Sequence, residues 1–150
     1  MEETQPVENS APQGGLSHVP DNEMSPYEII KKDIEKFNLD LNPDNVYAAL
    51  LEMTKQPNHR IVRSHNTLGV IDNLGNGVAD AVIYTADNAP TFVKSLKELT
   101  AGMKAGGFHL ITVPSSGIAI EKLMKRAGLD FKMTPVTENG QEGHKIRINL

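Results

Sequence analysis

Five histidines, at positions 18, 59, 65, 109 and 144, are the side chains best suited to acid–base or metal chemistry. Their spacing to one another and to Asp or Glu forms no recognisable ligand pattern, so no metal site is expected. His65-Asn66-Thr67 matches half of the paired His-x-Thr device of two-histidine phosphoesterases. His109-Leu110-Ile111-Thr112 misses the other half by one residue, which on a strand turns the two side chains to opposite faces. A turn histidine and a strand-entry histidine are the simpler reading. Ser115-Ser116 offers hydroxyls ahead of a helical stretch without a positioned base, which suits capping better than nucleophilic attack. Lys122, Lys125 and Arg126 form a basic cluster on the polar side of that helix, a solvated face in the ordinary case or a small patch for an anionic partner. Cys is absent, which excludes disulfides, thiolate zinc sites and cysteine nucleophiles.

These residues must be positioned by a chain of 150 residues, 39% apolar and 23% charged, a composition that fits one ordinary domain with a real core. No apolar run reaches the length of a membrane span, and the N-terminus has neither the basic patch nor the apolar stretch of a signal peptide. A cytosolic location is the expectation. Residues 1–24 hold five acidic residues, no Lys or Arg, and a Pro/Gly/Ser-rich middle, the composition of a disordered acidic tail. Taking those five from the nineteen acids leaves fourteen against fifteen basic residues, so residues 25–150 carry about +1 and the whole chain −4. A nearly neutral domain is a poor match for broad phosphate-backbone binding, so no nucleic-acid partner is expected.

Ser25-Pro26-Tyr27-Glu28 predicts a capping box and the start of a first helix, with Tyr27, Ile30, Ile34 and Phe37 on one face. Asn42-Pro43 predicts a second, with Val46, Ala49, Leu50 and Met53 aligned and Pro57 as its stop. From His59 to Thr85 three β-branched runs alternate with turn residues at Asn66 and at Asn73 to Gly77, an antiparallel meander whose third run should be central. A long helix over about Pro90 to Lys104 ends at Gly106-Gly107. A strand at His109 to Val113 follows, then a helix closed by Gly128, then a hairpin of Phe131 to Val136 and Lys145 to Ile148 around Glu138-Asn139-Gly140. The reading is α+β: a mixed, mostly antiparallel sheet flanked by helices, in the order α-α-β-β-β-α-β-α-β-β. The helix between the third and fourth strands is a crossover, which favours one parallel pairing.

This order, and above all His109 to Phe131 with its strand, turn and helix ending Gly128-Leu129-Asp130-Phe131, resembles the GNAT (Gcn5-related N-acetyltransferase) family over about residues 26–150. Within it the chain is similar to the acetyltransferase-like proteins of T7-like bacteriophages associated with internal virion proteins, in the Arg60 to Thr85 meander, the Thr85-Ala86-Asp87-Asn88 link and the short closing hairpin. The family's first strand has no clear counterpart. The resemblance implies an acetyl-CoA pyrophosphate held by backbone amides of a Gly-rich loop at the start of the long helix. Here that link is Tyr84-Thr85-Ala86-Asp87-Asn88-Ala89-Pro90-Thr91, without glycine, with a proline and with an acid where the anion would lie. Asp87 or Asn88 reads instead as a helix cap. The family's proton-donating Tyr falls at Met124, which has no proton to give. The family's basic carboxylate falls at Asp80.

Two functions follow. In the first, the domain is catalytically degenerate and binds proteins, with internal virion proteins as the partners the resemblance implies, no cofactor, and the virion or host cytoplasm as its place. In the second it is an acyltransferase with an atypical donor loop. Acetyl-CoA would then lie in a groove between Ala81 to Thr85 and Ile111 to Ser115, touching Tyr84, Thr85, Ala86 and Asn88, with Asp80 as base and Ser115 or Ser116 near the thioester.

Overall fold

The computed structural model describes residues 24–115, 119–138 and 140–150. Helix α1 (Pro26–Lys36) opens on a full capping box, Ser25 Oγ accepting from Glu28 N at 3.2 Å and the Glu28 carboxylate accepting from Ser25 N at 3.0 Å. Each side chain satisfies an amide that the first turn cannot bond internally. Helix α2 (Pro43–Met53) uses Asn42 in the same way, its Oδ1 accepting from Asp44 N and Asn45 N. The meander follows as β1 (His59–Ser64), β2 (Thr67–Gly75) and β3 (Val78–Thr85), then α3 (Ala89–Ala105), β4 (Leu110–Ser115), α4 (Ala119–Arg126), β5 (Asp130–Glu138) and β6 (Gln141–Asn149).

The six strands form one sheet in the order β1-β2-β3-β4-β6-β5. β3 and β4 are parallel and every other pairing is antiparallel. The α3 crossover imposes that single parallel pair, because a chain that returns through a helix re-enters the sheet in its original direction. This is the α-α-β-β-β-α-β-α-β-β architecture expected from the sequence, with the third strand inside the sheet.

Strand alternation divides the core in two. On one face Ile71, Ala79, Ala81, Ile111, Ile146 and Ile148 meet Phe92, Val93 and Leu96 of α3 and Met124 of α4. On the other, Leu68, Val70 and half-buried Tyr84 meet Ile29, Ile30 and Ile34 of α1 and Leu50 of α2. The buried stripe of α1 is shifted from the expected one. Phe37 is 49% exposed and lies beneath the Lys36 ammonium, whereas Ile29 and Asp33 join Ile30 and Ile34 inside. In α2 Ala49 is exposed, and Tyr47 takes the corresponding place against the core.

Candidate functional site

The sheet comes apart between its two parallel strands. β3 and β4 pair through three rungs, Val78 with Leu110, Ala79 with Ile111 and Asp80 with Thr112. Beyond the third rung each strand keeps only its antiparallel partner: β3 stays with β2 as far as Thr85 opposite Thr67, and β4 stays with β6 as far as Ser115 opposite His144. Pro114, on the diverging part of β4, has no N–H to offer across the opening. The opening therefore lies between Ala81–Thr85 and Val113–Ser115. On the β4 side it begins two residues later than expected, since Ile111 and Thr112 are still paired; on the β3 side it begins at Ala81 as expected.

Asp80 sits at the apex of this opening and accepts a hydrogen bond from the Thr112 hydroxyl across the last rung. Its side chain is exposed, on the face shared with Val82 and Tyr84. A carboxylate held there by one hydroxyl and otherwise open to solvent is placed to meet a group entering the gap. The side chains of Ser115 and Ser116 lie outside the described residues.

The link from β3 to α3 satisfies its own amides almost completely. Thr85 N donates to Asp33 Oδ1 at 2.9 Å, Ala86 N to Asn66 O at 2.9 Å, and Asp87 N to Thr85 Oγ1 at 3.1 Å. Asn88 is the N-cap: its Oδ1 accepts from Thr91 N at 3.0 Å and its carbonyl from Phe92 N at 2.8 Å. Pro90 has no amide hydrogen. Among the described residues, the amides of this link left for a ligand are Asn88 N and Ala89 N. Asp87 turns away from the helix start and is 6% exposed. Its carboxylate accepts from Asn66 N, from Thr67 Oγ1 at 2.8 Å and from Ser95 Oγ at 3.3 Å. Of the four positions considered for a donor, Tyr84 is half-buried against α1, Thr85 is buried, Ala86 is tied to the β1–β2 turn, and Asn88 is spent on the cap.

Asp33 is the residue that sequence reasoning passed over. It is 5% exposed, and burial pushes its carboxyl up from 3.8 to about 6, against the opposing pull of the Thr85 amide and the Lys36 ammonium. Lys36 in turn donates from Nζ to the main-chain carbonyl of Asp87 at 2.8 Å. Burial and the nearby Asp33 also raise the Tyr84 phenol. The signal was present: Asp33 stands four after Ile29 and three after Ile30, inside the apolar stripe.

His65 and His109 behave as a turn residue and a strand-entry residue, as expected, and His18 lies outside the described residues. His65, at φ 52°, forms the β1–β2 turn, and its Nδ1 lies 3.1 Å from both Ser64 Oγ and Ser95 Oγ and 3.8 Å from Glu98. Because hydroxyls and carboxylate gather on one ring nitrogen, no relay runs through the imidazole, which a nucleophilic triad requires. His109 Nε2 is bonded to Asn76 O at 3.0 Å. Among the described residues no group of three His, Asp or Glu is placed to hold a metal ion. Met124 is fully buried core, and Lys122, Lys125 and Arg126 are exposed.

No family model and no curated protein matches the sequence, so the similarity is carried by structure. The ribosomal-protein-alanine N-acetyltransferase of Brucella melitensis superposes with a TM-score of 0.56 at 13% identity, over 81% of this chain and 90% of that one. A Bacillus subtilis acetyltransferase in complex with CoA gives 0.54 at 13% identity, over 86% and 95%. Ard1 of Thermoplasma volcanium gives 0.57 at 10% identity, over 86% and 96%. The fold is that of the GNAT acetyltransferases. Among the described residues of this GNAT-like chain, β1 pairs with β2 alone and so forms the edge of the sheet. No described helix is long and apolar enough to cross a membrane.

Proposed function

We propose that this chain is a catalytically degenerate GNAT-fold protein whose work is to bind another protein. The observation that carries this reading is the internal saturation of the β3–α3 link. A pyrophosphate needs several free amides converging on it, and this link offers two. Met124, buried where the family's proton donor would stand, supports the same reading. The resemblance of the Arg60 to Thr85 meander to T7-like phage proteins points to an internal virion protein as partner, with the virion or the host cytoplasm as the setting.

A second reading keeps the chain an acyltransferase. It is favoured by the opening between β3 and β4 with Asp80 at its apex, and by the CoA held by the Bacillus subtilis structure of the same fold. Here acetyl-CoA would lie in the opening and Asp80 would take the proton of an incoming amine. Calorimetric titration of the full chain with acetyl-CoA separates the two. The binding reading expects no heat; micromolar affinity that falls when Ala86 is replaced by a bulky residue would overturn it and establish the acyltransferase.

A further inference from the structure

Residues opposite one another on paired strands share a face of the sheet. The pairing of Asp72 with Asp80, Asp80 with Thr112, Thr112 with Arg147 and Arg147 with Lys132 therefore draws one row across five strands. Asp72 on β2 is already met by His59 of β1 at 3.7 Å and by the Asn58 amide at 2.7 Å, so the acid open to a partner is Asp80 on β3, while β6 and β5 are basic. Lys145, two residues from Arg147 on the same face, adds a third cation. Arg147, Lys132 and Lys145 are exposed, and none has an ion-pair partner among the described residues. The apolar cluster under α1 and α2 takes residues from β1, β2 and β3 and none from β4, β5 or β6. This half of the face thus has no helix over it among the described residues. Thr112 stands between Asp80 and Arg147 in the row, and Val82, 36% exposed, and exposed Pro114 lie two residues farther along β3 and β4 on the same face.

We propose that this uncovered half-face is a docking surface for an extended protein segment that has a basic residue at one end and acidic residues at the other. The proposal rests on the binding reading above and names the chemistry of the partner. Charge complementarity sets the register. From Asp80 to Lys132 there are three strand spacings, about 14 Å, which an extended chain covers in about four residues. Because alternate side chains of an extended segment face the sheet, a cation at one position, a small apolar residue two later and a carboxylate two later again would meet Asp80, Thr112 with Pro114 beside it, and the Arg147–Lys132 pair in turn.

The test uses the full chain and a fluorescein-labelled peptide, Lys-Ser-Val-Ser-Glu-Ser-Glu, followed by anisotropy at low and high salt. Saturable binding is expected, weakening with salt and falling about tenfold or more in the K132E/R147E double variant. Both substituted side chains are exposed, and folding of the variant is checked by a second peptide in which lysines replace both glutamates. This peptide should bind the variant and not the natural chain. Absence of binding to the natural chain, or binding unchanged in K132E/R147E, overturns the docking surface. Acetyl-CoA binding is measured separately: heat there overturns the degenerate reading and this proposal with it, whereas no heat together with no peptide binding overturns the docking surface alone.

Discussion

At the scale of single residues, the decisive feature is how the polar groups of the β3–α3 link are spent. Asn88 and Asp87 are both good capping types, and the sequence alone left the cap open between them. Tertiary structure assigns it to Asn88 because the β1–β2 turn and Ser95 of α3 claim the Asp87 carboxylate. Asp33 shows a further effect of tertiary packing: an acid buried between α1 and β3 with one strong amide donor and a carboxyl raised to about 6. Between pH 3.8 and about 6 the folded chain therefore binds more protons at this site than the unfolded chain. Its contribution to stability falls as pH rises through that window and is level above it. Asp33→Asn keeps an oxygen for Thr85 N and removes the buried charge. Urea melts should show it more stable than the natural chain by about 1 to 2 kcal/mol at pH 7, with the difference vanishing near pH 4. Equal stability of the two chains at both pH values would show that the carboxyl is not strained.

At the scale of elements, nearly every helix and strand was legible because its punctuation is local. The capping box at Ser25, the Asn42-Pro43 start and the glycines after α3 and α4 act within a turn of the chain, so residue type suffices. The face each helix buries was less legible. Phe37 and Ala49 continue an apolar period, yet they are exposed, and Asp33 interrupts one and is buried. The β2–β3 hairpin has a second duty that its Gly75-Asn76-Gly77 turn does not announce. Gly77 O accepts from His109 N at 2.8 Å, which pins the start of β4 beside β3. Gly77 sits at φ +77°, and a Cβ there would meet the His109 ring at 2.6 Å and Gly107 O at 3.0 Å. Gly77→Ala is expected to cost more than about 1 kcal/mol, through positive φ and collision together. A thermal midpoint equal to that of the natural chain would show that the hairpin yields freely.

At the scale of the whole molecule, the charge of −4 divides into an acidic N-terminal segment and a nearly neutral domain. Deleting residues 1–23 while keeping Met24, whose amide donates to Asn66 Oδ1, is expected to leave the thermal midpoint unchanged. A marked drop would place part of that segment within the fold. The composition, the absence of Cys, the element order and the single parallel pairing were determined by the sequence alone, because each follows from residue type, spacing or chain direction. Three things waited for the tertiary structure: where β3 and β4 separate, which amides of the β3–α3 link remain free, and how Asp80, Arg147 and Lys132 come to share one row. All three depend on contacts between residues far apart in the chain, Asp80 with Thr112, Thr85 with Asp33, and Arg147 with Lys132. Local propensity says nothing about such contacts, since only the packing of complete elements brings their partners together.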